Sequence, residues 1–311
     1  MSTSESTSEL YGELRPRAFA IAYQMLGSVS EAEDVVQEAF LRLHKTLQRD
    51  EQITSPRAYI ATLATRLAID QLRSARARRE RYVGEWLPEP VVTEPTPAEH
   101  AETVDSLSLA FLVLLESLSP QQRAAFLLRE VFEYPYPEVA GIIGTDVDSA
   151  RHLVARARAH LRERRPRYYA SRRQREELAQ HFFAAAEQGD LQALEAMLAQ
   201  DVALHADGGG KVPALARPVN GRERVVRTLS AGMSALARHG VRLQLTEVNG
   251  QPGAMAFDAQ DRLVGVMGLD IAEGQIQTIH SVANPEKLRH VDRTGRLGAL
   301  LRTGRRSGDD C

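Results

Sequence analysis

Cysteine is nearly absent from this chain: the single one, Cys311, is the last of 311 residues. A lone terminal thiol excludes an internal disulfide framework and any cysteine-based zinc site. Long apolar runs are missing too; none approaches the roughly 20 residues that a membrane helix needs. The opening "MSTSESTSEL" lacks a basic start and an apolar core, so a secretory leader is not expected and the cytoplasm is the expected location. Aromatic residues make up 5%, with one tryptophan. The hydrophobic and charged fractions, 43% and 26%, are those of globular proteins. Length alone predicts two or three folding units.

The net charge of -2 conceals opposed blocks. From Arg151 to Arg175 there are ten arginines against one acid, Glu163, and from Arg66 to Arg81 six against Asp70 and Glu80. Between Tyr82 and Gln122 there is neither Lys nor Arg, while Glu85, Glu89, Glu94, Glu99, Glu102 and Asp105 are acidic. Two basic blocks flanking an acidic spacer fit nucleic-acid binding or solvated helix faces.

Helical periodicity runs through residues 13–82. Phe19, Ala22, Tyr23 and Leu26 form one stripe, which Gly27 can terminate. Ser30 and Glu33 have the spacing of a capping box ahead of the stripe Ala32, Val35, Val36, Ala39, Phe40 and Leu43. Ser55 and Pro56 announce a third helix, with Ile60, Leu63 and Leu67 as its expected buried side. Tyr59, Thr62, Arg66, Asp70 and Arg73 then share a polar face. Aromatic and basic groups so aligned can hold a nucleic-acid strand, or be merely solvated.

Residues 83–105 hold four prolines and read as an acidic linker. Trp86 is unusual there and calls for a surface to pack on. Ser119 and Pro120 then open a second helical unit, in which Ala140, Gly144 and Asp146 fit a helix-turn-helix. Ala150, Val154 and Val147 face its core; Ser149, Arg151, His152 and Arg156 point outward, as a recognition helix in the major groove requires. Arg158, Arg162, Arg164 and Arg165 suit phosphates. Asp148 sets a negative charge at the helix start, able to accept from a cytosine amine or to stay solvated.

Beyond residue 176 the pattern predicts helices broken at Gly189-Asp190, a strand, another helix and then strands separated by "NGQPG", "DAQDR" and "EGQ" turns, an α+β domain with an antiparallel sheet. "HADGGGKV", residues 205–212, suggests a phosphate cradle. It lacks the Gly-Lys-Ser/Thr ending of a P-loop, however, since Val212 and Pro213 follow Lys211. It predicts instead a glycine-shaped surface loop.

"SVSEAEDVVQEAFLRLHK", "SPRAYIATLATRLAIDQLRS" and "LSPQQRAAFLLREVFEYPYPEVAGIIG" followed by "SARHLVARARAHLRE" together resemble the two regions of a bacterial extracytoplasmic-function sigma factor. "WLPEP", "DGGGK" and "NPEKL" are similar to those of the sigma J type, which carries a fused SnoaL-like domain. The resemblance implies a multidomain chain, two all-α sigma domains followed by an α+β cone. The expected boundaries are 8–82 for region 2, 83–105 for the linker, 106–170 for region 4, 176–291 for the SnoaL-like domain and 292–311 for a flexible tail.

It further implies the RNA polymerase core, β and β′ subunits, and promoter DNA as partners, with Glu31, Asp34, Val35 and Glu38 binding the clamp helices of β′. The loop from Arg49 to Ser55 and the face of Tyr59, Thr62, Arg66, Asp70 and Arg73 would capture the −10 promoter element, and Ser149, Arg151, His152 and Arg156 the −35 element. Trp86, Asp207, Lys211, Asn284 and Pro285 are the expected regulatory contacts. His205 and Asp207, two apart on a strand, match in type the acid/His pair that enzymes of the cone fold use; the expectation is no enzyme, no cofactor and no metal. A small ligand in the C-terminal pocket is a further candidate partner. The competing expectation is a helix-turn-helix regulator with a ligand-sensing C-terminal domain.

Overall fold

The computed structural model describes residues 3–49, 53–79, 82–93, 107–162 and 171–295, with the backbone alone for 3–9, 75–79 and 162. Outside the described residues lie 50–52 of the expected −10 loop, 94–105 of the linker, Arg164, Arg165, and 296–311 of the tail. The chain divides into two compact units: Met1–Glu80 with Leu114–Arg165, and Arg81–Val113 with Pro166–Cys311.

The first unit is helical. Helix α1 (Thr3–Leu26) ends where Gly27 takes a φ of 64°, and α2 (Val29–Leu47) starts at once. That immediate turn moves the cap from the expected Ser30 to Ser28, whose side chain accepts from the Glu31 amide at 3.2 Å. Glu33 is then free to pair with Arg15 at 2.6 Å. The α2 core stripe is Ala32, Val35, Val36, Ala39, Phe40 and Leu43, as periodicity predicts.

Helix α3 (Pro56–Arg79) has Ser55 as its cap, but buries a different stripe from the one expected. Ile60, Ala61, Ala64, Ala68 and Leu72 are buried, whereas Leu63 and Leu67 are half-buried. Alanines on the inner side let backbones approach closely, so the small residues face inward and the leucines flank the seam.

Within the same unit, Leu115 ends α4 (Leu109–Leu115), and α5 (Pro120–Glu130) carries a full capping box between Ser119 and Gln122. Helix α6 (Tyr136–Ile143) closes on Gly144 at φ 72°, and α7 (Val147–Arg162) follows. Val139, Ala140, Ala150, Val154, Ala157 and Leu161 form the seam of this helix-turn-helix. Arg123, 2% exposed, donates from Nη1 to the Met25 carbonyl at 2.5 Å, from Nε to that of Leu115 at 2.9 Å and from Nη2 to Glu116 at 2.6 Å.

In the second unit, α8 (Arg172–Gln188), α9 (Leu191–Met197) and α10 (Arg222–Arg238) cover one face of a curved sheet. Its strands are β1 (Val92–Thr93), β2 (Leu198–Asp207), β3 (Val219–Asn220), β4 (Arg242–Val248), β5 (Gln251–Phe257), β6 (Leu263–Ala272) and β7 (Gln275–Val282), in spatial order β1-β4-β5-β6-β7-β2-β3. The sheet is mixed rather than purely antiparallel: β2, reached through the helices, returns parallel to β7. Asn249 and Gly250, at φ 52° and 73°, and Glu273 and Gly274, at 53° and 72°, make the tight hairpin turns. A short helix α11 (Pro285–Leu288) ends the described domain.

The alternation of side chains along the strands separates two apolar layers. Phe182, Phe183, Leu194, Leu204, Leu269 and Ile279 fill the helix side. On the outer side Val248, Phe257, Val266 and Val282 pack with Leu87 and Leu109, so the expected linker contributes to this unit's core and, as β1, to its sheet.

Candidate nucleic-acid surfaces and tether-docking site

The acidic face of α2 is exposed at Asp34 and half-buried at Glu31 and Glu38, whereas Val35 is a core residue 6% exposed. Glu38 holds Arg42 at 2.7 Å. On α3, Tyr59 meets the Thr46 hydroxyl at 3.0 Å, and Thr62 donates to the Ala58 carbonyl at 2.8 Å. Arg73 and Asp70 pair at 3.2 Å in solvent. Arg66 is engaged inside the unit: it donates to the carbonyls of Ile142 and Gly141, both at 2.9 Å, at the C-terminal end of α6. A cation suits that position, because the unsatisfied carbonyls carry the negative end of the helix dipole.

On α7, Arg151, His152 and Arg156 are exposed. Ser149 is half-buried; its amide and hydroxyl donate to Asp146 at 2.8 and 2.7 Å, holding that carboxyl below its ordinary pKa, the amide bond first. Asp148 pairs with Arg151 at 3.0 Å, and Arg129 and Arg151 both lie over the Tyr136 ring. Arg158 is gripped by both carboxylate oxygens of Glu130, at 3.0 and 2.7 Å.

The expected regulatory residues of the second unit converge on one place, at the end of β2. Asp207 is fully buried, not a surface residue. Its Oδ1 accepts from the Tyr82 hydroxyl at 2.6 Å and the Gly209 amide at 3.0 Å. Its Oδ2 accepts from the Leu87 amide at 2.9 Å and the Lys287 ammonium at 2.7 Å. Lys287 also donates to the Leu87 carbonyl and sits over the rings of Trp86, at 4.1 Å, and Tyr82, at 5.0 Å.

Asn284 donates to the Tyr82 oxygen at 2.7 Å and caps α11, where Pro285 takes the first turn. Lys211 pairs with Glu286 on the partly exposed rim. A carboxylate with four donors and an ammonium between two rings is a satisfied buried ion pair. Tyr82 stays protonated, its pKa raised by burial and then by the Asp207 hydrogen bond.

The glycine loop exists to admit these contacts. A Cβ on Gly208 would lie 2.5 Å from the Val212 carbonyl oxygen, and one on Gly209 would collide with the Asn284 amide. Gly209 and Gly210 also adopt φ of 58° and 67°.

His205 and His280 stack at 5.2 Å, and His205 Nδ1 meets Glu85 at 2.6 Å. These groups and Asp207 lie on the outer side of the sheet, opposite α8–α10, so they do not form a dyad inside the cone. Alternation from Leu204 and Ile279, which face the helices, decides it. His280 is pushed down to about 3, by burial first and then by His205. A small cavity beside it is lined by Ser108, Leu109, Gln251, Gly268 and Asp270. Among the described residues there is no cluster of three or more metal-ligating side chains, and no helix long and apolar enough to cross a membrane.

Tyr82, Glu85, Leu87, Lys287, Asn249 and His290 were not singled out by sequence. Lys287 and Leu87 carry a motif signal, through their places within "NPEKL" and "WLPEP".

Comparison with known proteins identifies the two helical regions. Residues 10–78 match Sigma-70 region 2 and residues 108–161 match Sigma-70, region 4. The ECF RNA polymerase sigma factor SigJ of Mycobacterium tuberculosis is 36% identical over 293 residues, covering 88% of this chain and 90% of that one. The chain belongs to the extracytoplasmic-function sigma factors.

A second relative of this sigma factor, the probable ECF RNA polymerase sigma factor SigI of the same species, is 33% identical over 93% of this chain and 97% of its own. The crystal structure of the Mycobacterium tuberculosis SigJ superposes with a TM-score of 0.70, at 31% identity, over 93% of this chain and 98% of that one. The fold is therefore that of helical sigma regions followed by an α+β sheet domain, as in the SigJ structure. A sigma factor binds core polymerase and promoter DNA and directs transcription initiation; the reading as a free-standing helix-turn-helix regulator leaves region 2 unexplained.

Proposed function

We propose that this sigma factor is tuned by the docking of its own tether on the SnoaL-like domain. Under this reading the segment from Tyr82 to Thr93 is a releasable element, and its hold on Asp207 and Lys287 sets promoter activity. One observation carries it: the Leu87 backbone is gripped at both its amide and its carbonyl by that buried pair. A tether needed only for its length would leave those groups to water.

The remaining roles follow from exposure and charge. Glu31, Asp34 and Glu38 offer a negative face to the β′ side of core polymerase, while the buried Val35 shapes the helix beneath them. Tyr59, Thr62, Arg66, Asp70 and Arg73 receive the −10 element; Arg66 must leave the Gly141 and Ile142 carbonyls to do so. Arg151, His152 and Arg156 read the −35 element, with Ser149 holding the helix start. The domain boundaries set out above serve as working limits of these parts, and the second unit is a regulator rather than an enzyme.

The test is promoter-dependent transcription with core polymerase, comparing the full-length protein with Asp207→Asn and Lys287→Met. Altered open-complex yield on the same promoter is expected from both substitutions. Unchanged yield, with the tether demonstrably released, defeats the regulatory proposal.

A further inference from the structure

The tether is held at a second place, four residues beyond Leu87. Asn249, 1% exposed in the β4–β5 hairpin turn, accepts from the Val91 amide through Oδ1 at 2.9 Å. Its own amide donates to the Val91 carbonyl at 2.7 Å, so Val91, like Leu87, has both backbone groups captured. Asn249 Nδ2 donates to the Leu107 carbonyl at 2.8 Å, on the far side of the 94–106 stretch. His290 Nε2 donates to the Pro90 carbonyl at 2.8 Å, and its other nitrogen lies 3.9 Å from Glu89. Val92 and Thr93 then pair with Val248 and Glu247 at the sheet edge.

The sequence of the segment suits such capture. Pro88 and Pro90 have no amide and bias their neighbours to extended conformations. The donors on either side, at Leu87 and Val91, are both collected by the domain. A pre-extended strand loses little conformational freedom on docking, and edge-strand addition reads main chain rather than side chains.

We propose that Asn249 and His290 form a second grip on the tether, separate from the Asp207–Lys287 pair: a main-chain clasp that fastens Val91 and Leu107 to one residue and so fixes both ends of the intervening stretch. The outer face of the domain is then a receptor for an extended proline-bearing peptide, and its occupant is this chain's own segment from Tyr82 to Thr93. The clasp is a statement about binding; its consequence for transcription rests on the regulatory reading above.

The experiment is amide hydrogen exchange on the full-length protein, with the lone tryptophan as a second readout. Asn249→Gly keeps the hairpin turn, because glycine accepts the φ of 52°, and keeps the backbone bond to the Val91 carbonyl, while it removes the side-chain bonds to the Val91 amide and the Leu107 carbonyl. Val91 is expected to exchange about tenfold faster, as loss of one hydrogen bond implies, while Leu87 protection and Trp86 emission stay as they were. Asp207→Asn should do the reverse, shifting Trp86 emission while Val91 remains protected. Unchanged Val91 exchange in Asn249→Gly overturns the clasp, and loss of Val91 protection in Asp207→Asn overturns its separateness. Should the hairpin itself lose protection in Asn249→Gly, His290→Phe, which lies off the hairpin, decides by the same Val91 criterion. Leu87 released in Asp207→Asn with unaltered transcription leaves the clasp standing and defeats the regulatory reading instead.

Discussion

The two units use charge in opposite ways. In the helical unit the proposed binding residues mostly meet solvent, and their ion pairs, such as Asp70 with Arg73 and Asp148 with Arg151, are exposed and exchangeable. In the second unit Asp207 and Lys287 are buried, and Asp207 accepts from four donors. Exposed pairs contribute about 0–1 kcal/mol, whereas removing one partner of a buried pair costs about 3–5 kcal/mol. The difference teaches how labour can be divided: the charges proposed to exchange partners with polymerase and DNA stay at the surface, while those proposed to set a resting conformation are satisfied within the chain.

The sharpest way to break this comparison is Asp207→Ala. It leaves Lys287, the Leu87 amide and the Tyr82 hydroxyl without their acceptor, and should destabilise the second unit by about 3–5 kcal/mol. Denaturant unfolding followed by Trp86 emission measures it; a loss below 1 kcal/mol would place this pair with the surface pairs. Next in size, Arg156→Ala should weaken binding of the promoter by core polymerase plus this protein by about 1–3 kcal/mol, selectively at one base position, without lowering the melting temperature. Uniform weakening across −35 sequences would assign Arg156 to phosphate.

Titration gives a third comparison. His280 is depressed to about 3, so below the ordinary imidazole value near 6.5 the unfolded chain takes up a proton that the folded one refuses. Stability from this group is present above about 6.5 and lost as pH falls toward 3, by up to about 1.4 kcal/mol per pH unit. His280→Gln should flatten the fall in melting temperature between pH 6.5 and 5; an identical slope would remove His280 as its source. Smallest of all, Lys211→Glu opposes Glu286 on a half-exposed rim and should cost no more than about 1 kcal/mol in thermal melts.

The two units also differ in how far their sequences could be read. Motif spacing and helical periodicity located the sigma regions, the Ser119 cap and the Gly144 turn, because these depend on neighbours three or four residues apart. Where packing chose between faces, the pattern failed: α3 buries alanines instead of Leu63 and Leu67, and α2 is capped by Ser28, two residues before the expected Ser30, because α2 starts directly after the turn at Gly27. The tether site was half legible. Trp86, Asp207, Lys211, Asn284 and Pro285 could be listed from their motifs, but not the ammonium that joins them.

By itself, then, the sequence determined the family, the order of the parts and the candidate surfaces, since these rest on local spacing and composition. Tertiary structure alone decided that Asp207 is buried under the tether, that His205 lies outside the cone and that Asn249 fastens Val91 to Leu107. Asp207 and Lys287 are separated by 80 residues, and Asn249 and Val91 by 158. No local periodicity reaches that far; only the sheet, pairing strands distant in the chain, brings such groups into one hydrogen-bonded site.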